Sequence, residues 1–146
     1  MRLRSREPIA QEHAMGCGLA CVAFLTGHSY RYIHRRCHIS DHAWGRGFYC
    51  TELVDELGKY DLNYQWRPIV GRDRKNIISL APNGSVLFID KGSSQFPQGH
   101  FFVKVAAKLF MNPWKTFPSI ANVQAGFQQQ LPGRVSFVIE PCQIDF

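Results

Sequence analysis

The stretch that most constrains this chain runs from Gln11 to Thr26 and reads QEHAMGCGLACVAFLT. Its second half is almost continuously apolar, which predicts a helix that is buried on most sides. Cys17 stands between two glycines at the start of this run, so its thiol falls at the helix N-terminus. Free backbone N–H groups and the helix dipole stabilise a thiolate there. We therefore expect Cys17 to be a nucleophile with a lowered pKa.

The composition is that of a folded domain rather than a disordered segment. The chain has 146 residues, of which 45% are hydrophobic and 19% charged, and we predict a single domain over residues 1–146. No apolar run reaches the roughly 18–20 residues that cross a bilayer. The basic start, MRLRSREP, lacks the apolar region of a secretory signal. We expect a cytoplasmic protein without a membrane span, and export by a signal-independent route stays open.

The number and spacing of the cysteines predict free thiols rather than disulfides. Five cysteines, at positions 17, 21, 37, 50 and 142, are odd in number and do not resemble a disulfide framework, so we expect free thiols. Cys21 is expected to be a small buried core residue.

The formal charge is +6, but the arginines are not interleaved with aromatic residues in a binding motif. A nucleic-acid partner is therefore not favoured. The oligomeric state stays open.

The hydrophobic pattern predicts helices first and strands later, which is typical of an α+β fold. The predicted helices cover residues 17–25, 30–37, 51–60, 73–80 and 121–130. The predicted strands cover residues 63–70, 86–89, 100–105, 109–111 and 134–140. Residues 1–10 are expected to be extended, and 38–47, 91–99 and 113–119 to be loops. Gly27 should end the first helix and Ser29 should cap the second.

A cysteine nucleophile needs a histidine to take its proton and a third group to hold that imidazole. Of six histidines, His100 fits best, because it begins an apolar strand and can project from a rigid element into a cleft. A short hairpin loop at 105–107 would place Asn112 opposite His100. Cross-strand partners lie about 4.5–5.5 Å apart at Cβ, within reach of a hydrogen bond.

Gln11 completes the predicted set of catalytic residues. Attack on a carbonyl creates an oxyanion, which needs hydrogen-bond donors already aimed at it. The Gln11 side-chain amide and the Cys17 backbone N–H would supply two. The candidate catalytic residues are thus Gln11, Cys17, His100 and Asn112, and this chemistry requires neither a cofactor nor a metal.

These motifs resemble a known family. Gln11 followed by the run from Cys17 to Cys21, then GHFFV at 99–103, then NPW at 112–114, is similar to the papain-like cysteine peptidases that process double-glycine leader peptides of bacteriocins. The resemblance spans nearly the whole chain. It implies a papain-like fold, with a nucleophile helix packed on an antiparallel sheet, and a peptide or protein substrate. It also implies Cys17 as nucleophile, His100 as base and acid, Asn112 as orienter and Gln11 in the oxyanion hole.

The chain departs from that family at two positions. An acidic residue is usual before the nucleophile, where this chain has Gly16, and an aspartate is usual where it has Asn112. Three alternatives stay open. The same site would serve deamidation or acyl transfer in a toxin or effector, and a papain-like module would bind peptides without catalysis. A structural zinc site, although disfavoured by the spacing, would use the side chains of Cys37, His38, His42 and Cys50.

Overall fold

The structure is a computed structural model that describes residues 3–71 and 74–142. Four α-helices are present in this part of the chain: α1 Cys17–Thr26, α2 Tyr30–Arg36, α3 Cys50–Gly58 and α4 Arg74–Leu80. The strands are β1 Tyr64–Pro68, β2 Val86–Ile89, β3 His100–Ala106, β4 Leu109–Asn112, β5 Gly126–Gln128 and β6 Val135–Pro141. They form one antiparallel sheet in the order β1-β6-β2-β3-β4-β5. The α+β prediction is confirmed.

Helix α1 is the centre of the larger core. Its residues are buried from Cys17 to Leu25, and its neighbours are α2, α3 and strand β3. A Cβ added to Gly18 would lie 2.9 Å from Leu53 of α3, so this glycine permits the close helix packing. Gly27 ends the helix in the left-handed conformation, at φ 78°, as its sequence predicted. The N-terminus of α1 lies against β3, where the backbone N–H of Phe101 reaches Cys17.

The caps of α2 and α3 follow from local sequence. The Ser29 hydroxyl accepts the Tyr32 N–H at 3.1 Å, which confirms it as the N-cap of α2. Helix α3 begins one residue before its predicted start, and the Glu52 carboxylate accepts the Tyr49 N–H at 2.8 Å. Each cap satisfies a backbone donor that the first turn leaves free.

A second, smaller core covers the other face of the sheet. It contains Leu87, Phe102 and Phe110, with side chains of α4 packed against it. The Lys104 ammonium is buried and donates to the carbonyls of residues 78, 79 and 81 at 2.8–2.9 Å. This contact satisfies carbonyl groups at the C-terminus of α4. Burial lowers the pKa of Lys104.

The predicted helix at 121–130 is wrong, because part of it forms strand β5. Gly126 pairs with Asn112, and Gln128 pairs with Phe110 on β4. A glycine inside a helix costs about 1 kcal/mol relative to alanine. Pairing with β4 satisfies backbone groups that an edge strand leaves free. Phe127 also packs edge-on against Phe24 of α1, with ring centroids 6.2 Å apart, so tertiary contacts decide the local structure.

Two shorter segments also differ from their predicted form. Residues Leu3–Ser5 form a 3-10 turn with Leu3 buried, where an extended arm was predicted. Ser40–Ala43 forms another 3-10 turn within the predicted loop. Residues 1, 2 and Asp73, to which predictions were also attached, lie outside the described residues. In the part that the structure describes, every helix is too short or too polar to cross a membrane.

The predicted register of the β3–β4 hairpin is wrong. Val103 lies opposite Met111, and the register shifts between Lys104 and Ala106. One more step along this register brings Asn112 opposite Phe102, two residues from His100 and on the same face. The turn lies at 107–108 rather than at 105–107, and the bulge leaves Val105 without a direct partner on β4. His100 and Asn112 are therefore diagonal neighbours rather than direct partners, a separation that long side chains still bridge.

Candidate active site

Cys17 is the first residue of α1, and its side chain is nearly buried. The backbone N–H of Phe101 on β3 stabilises its thiolate, and so do the N–H groups of Gly18 and Cys17 at the helix start. Burial has the larger effect and raises the pKa of Cys17 to about 11. The prediction of a lowered pKa is wrong, because the cost of removing a thiolate from water exceeds what these donors return. Cys17 is therefore a neutral thiol at neutral pH.

His100 is the first residue of β3 and is held on two sides. The Phe96 ring stacks on its imidazole with centroids 3.9 Å apart and planes 6° apart. The Phe102 ring meets it edge-on at 5.0 Å. Its Nε2 lies 2.8 Å from the Asn112 Oδ1. His100 is only 3% exposed, so its ring has a defined position and little contact with water.

Asn112, the last residue of β4, determines which nitrogen of His100 carries the proton. Its Oδ1 also accepts the backbone N–H of Trp114 at 2.9 Å. Because that N–H can only donate, the shared acceptor must be the amide oxygen. His100 therefore donates from Nε2, and its Nδ1 carries the free lone pair. Within residues 3–71 and 74–142, Nδ1 has no hydrogen-bond partner.

Gln128 of β5 holds the Asn112 amide from the other side. Asn112 Nδ2 donates to Gln128 Oε1 at 2.8 Å, and Gln128 Nε2 donates to the Gln130 carbonyl at 2.7 Å. Sequence reasoning missed Gln128, since it lay in the wrongly predicted helix. The run of three glutamines did not indicate which one faces inward. The result is a hydrogen-bonded chain from Gln130 through Asn112 to His100.

Burial lowers the pKa of His100 to about 4, although the bond to Asn112 acts in the opposite direction. At neutral pH the site therefore holds a neutral imidazole and a neutral thiol rather than an ion pair. Cys17 and His100 line one cavity of about 180 Å³ with Ala14, Phe96 and Trp114. In the described part of the chain, no hydrogen bond joins them. Such contacts are often long without substrate and tighten when it binds.

Gln11 lies beside this site but uses its amide hydrogens elsewhere. It is buried, and its Nε2 donates to the carbonyls of His13 and Ala14, each at 3.0 Å. Its backbone N–H donates to the Pro113 carbonyl at 3.3 Å. The side chain thus holds the loop that leads to Cys17. Its oxyanion role stays a prediction, and one of these contacts must open for the amide to donate to substrate.

The alternative zinc site finds no support. Among the residues that the structure describes, no three His, Cys, Asp or Glu side chains are arranged to hold a metal ion. His42 contacts the Arg46 guanidinium at 2.9 Å, and His38 lies 3.4 Å from the Lys59 ammonium. Cationic neighbours disfavour a divalent metal at these imidazoles.

Two of the predicted loops, 38–47 and 91–99, reach a cavity at Cys17. A second cavity, of about 280 Å³, is lined by Cys17, by Arg46 and Gly47 from the first loop, and by residues of the loop at 91–99. Gln98 and Gly99 line both cavities. The sulfur therefore lies where two cavities meet.

Gly99→Ala should destabilise the fold by about 2 kcal/mol or more. Gly99 has φ 82°, and an added Cβ would lie 2.4 Å from Phe88 and 3.0 Å from the Ile89 carbonyl oxygen, so it is strained and overpacked. Gly92→Ala is the matched control, because Gly92 has φ 86° with open space around it. Urea unfolding should show the larger loss for Gly99→Ala. Equal losses would mean that the clash with Phe88 is absent.

Acid should destabilise the native protein through His100. Its pKa is about 4 in the folded state and about 6.5 in an unfolded chain. The unfolded state therefore binds more protons over this range, and stability is lost as pH falls from about 6.5 to about 4. The loss is about 3 kcal/mol. Urea unfolding at both pH values should show a loss smaller by that amount in His100→Gln, and equal losses would contradict the shift.

No protein-family model matches this chain, and a search of curated proteins found no significant match. The function is therefore inferred from the geometry of the site.

Proposed function

We propose that this protein is a papain-like cysteine peptidase that cleaves a peptide or amide bond through Cys17, His100 and Asn112. The observation that carries the proposal is the chain of hydrogen bonds that fixes the His100 tautomer. It leaves Nδ1 unprotonated, and His100 shares a cavity with the thiol of Cys17. The resemblance to the peptidases of double-glycine leader peptides supports the same residue roles.

The proposed reaction starts from neutral groups. His100 Nδ1 takes the thiol proton as the Cys17 sulfur attacks the substrate carbonyl. Substrate binding must first bring Sγ and Nδ1 together, since they are not hydrogen-bonded in this structure. Protonated His100 keeps its Nε2–H bond to Asn112, and this bond holds the imidazolium in position. Nδ1 then gives its proton to the leaving amine.

The remaining steps use the start of α1. The Cys17 backbone N–H, which has no partner within the helix, donates to the oxyanion. Gln11 would be the second donor after it releases His13 or Ala14. Water, deprotonated by His100 Nδ1, then attacks the thioester and frees the acyl group. No cofactor enters this sequence.

A mixture of peptides incubated with the protein and then sequenced by mass spectrometry tests the proposal. Hydrolysis produces new termini, deamidation produces acids from glutamine without cleavage, and acyl transfer joins an added amine to the product. We expect new peptide termini with the wild-type protein and none with Cys17→Ala. Deamidated or amine-linked products alone would replace the peptidase assignment with one of those reactions. The absence of any Cys17-dependent product would contradict the proposal as a whole.

A further inference from the structure

The two cavities at Cys17 have different neighbours and therefore different roles. Cys17, Gln98 and Gly99 line both of them, but His100 lines only the smaller one. In the proposed reaction His100 must protonate the leaving amine, so the leaving group has to occupy the cavity that His100 lines. The acyl part of the substrate stays bonded to the Cys17 sulfur. It must extend into the larger cavity.

The larger cavity is apolar and aromatic. Its walls include the side chains of Met15, Phe48, Trp66, Phe88, Phe101 and Phe137. The rings are packed against one another: Phe88 lies 4.7 Å from Phe101 and 6.2 Å from Phe137, and Trp66 meets Phe137 edge-on at 5.8 Å. Trp66 remains 40% exposed. An apolar ligand would remove this surface from water, which is favourable.

Two cationic side chains, those of Arg46 and Lys91, line the larger cavity. The Arg46 guanidinium already binds the Glu52 carboxylate at 2.8 and 2.9 Å and lies over the Tyr49 ring. Lys91 is exposed, so its ammonium remains in water, and the apolar walls of the cavity favour an apolar ligand. The cavity measures about 280 Å³, whereas about 10–15 Å³ suffices for one water. It has room for a whole aromatic or branched aliphatic side chain. A glycine would leave most of it empty.

We infer that the substrate carries a bulky apolar side chain on the acyl side, within two residues of the scissile bond, and that this side chain occupies the larger cavity. The inference rests on the proposed function and gives it a substrate class. It differs from what the resemblance to double-glycine peptidases implies, because two glycines before the scissile bond would not fill this cavity.

Three probes with one leaving group test the inference: the p-nitrophenyl esters of acetyl-Gly-Gly, acetyl-Phe-Gly and acetyl-Gly-Phe. The rate for each probe is the rate of nitrophenol release by the wild-type protein minus the rate measured with Cys17→Ala. We expect kcat/KM for one of the phenylalanine probes to exceed that for the diglycine probe by about 10- to 100-fold. Trp66→Ala should reduce this ratio at least threefold. Ile120→Ala, which removes an equally apolar side chain that lines neither cavity, should leave it unchanged.

The outcomes separate this inference from the function on which it rests. Cys17-dependent release at equal rates from all three probes, or fastest from diglycine, would overturn the inference and leave the nucleophile in place. A phenylalanine preference that Trp66→Ala does not change would also overturn it, because the side chain would then bind elsewhere. No Cys17-dependent release from any probe would overturn both.

Discussion

His100→Ala should slow acylation of Cys17 by about 10²- to 10⁴-fold, the usual contribution of a positioned general base. With the pKa of Cys17 at about 11, only about one thiol in 10⁴ is ionised at pH 7 without help. In the proposed mechanism the wild-type protein avoids this shortage, since His100 Nδ1 takes the proton during attack. Stopped-flow release of nitrophenol from p-nitrophenyl acetate measures the rate.

His38→Ala is the matched control, because His38 is exposed and lies beside Lys59 rather than Cys17. Its acylation rate should equal that of the wild type. The acylation rates of His100→Ala and the wild type should also become more similar as the pH rises towards the Cys17 pKa, because the thiolate then forms without a base. A His100→Ala variant that reacts as fast as the wild type at pH 7 would contradict the role of His100 as the base.

Asn112→Leu should lower both the acylation rate and the stability. It removes the acceptor of the His100 Nε2–H and of the Trp114 N–H, both buried. Donors left without partners cost about 1–3 kcal/mol each, so for these two donors we expect a loss of about 2–6 kcal/mol in the free energy of unfolding, measured in urea. The His100 ring would also lose its fixed tautomer. The acylation rate, measured where the variant is still folded, should fall by about 10²-fold.

Asn112→Asp tests whether Asn112 acts by orienting the His100 ring, because aspartate has nearly the same size and keeps a hydrogen-bond acceptor. The introduced carboxylate keeps an acceptor for both N–H groups and stabilises an imidazolium, so it should raise the pKa of His100 and retain most of the acylation rate. Gln128→Leu removes the acceptor of the Asn112 amide hydrogens and the donor to the Gln130 carbonyl, but it leaves the acceptor of His100 Nε2–H in place. It should therefore slow acylation less than Asn112→Leu does. If Asn112→Leu acylates at the wild-type rate, Asn112 does not orient the base.

The elements that the sequence predicted well are those that local patterns determine. Helix α1 follows from a continuous apolar run that ends at Gly27, and the start of α2 follows from the Ser29 cap. Strand β5 was missed because its pairing with β4 depends on a neighbour distant in the sequence. The β3–β4 register was predicted wrongly because the turn lies at 107–108 rather than at 105–107, and neither glycine nor asparagine marks its position in the sequence.

The candidate site shows the same division. Residue type and order in the sequence predicted Cys17, His100 and Asn112 as candidate catalytic residues, and the structure brings His100 and Asn112 into hydrogen-bond contact. The sequence predicted a lowered pKa for Cys17, and this is wrong, because the sequence indicates the helix start but not the burial of the thiol. The stack of Phe96 on His100 comes from a loop whose path only the folded chain defines.

The most direct test of the central claim is the location of the acyl group in a trapped intermediate. The protein is mixed with p-nitrophenyl acetate, quenched in acid, digested and mapped by mass spectrometry, with hydroxylamine used to identify thioesters. We expect one hydroxylamine-sensitive acetyl group per chain, on Cys17, and we expect it to form much more slowly in His100→Ala. A thioester spread over Cys50 and Cys142, or one on Cys17 that forms equally fast without His100, would contradict it.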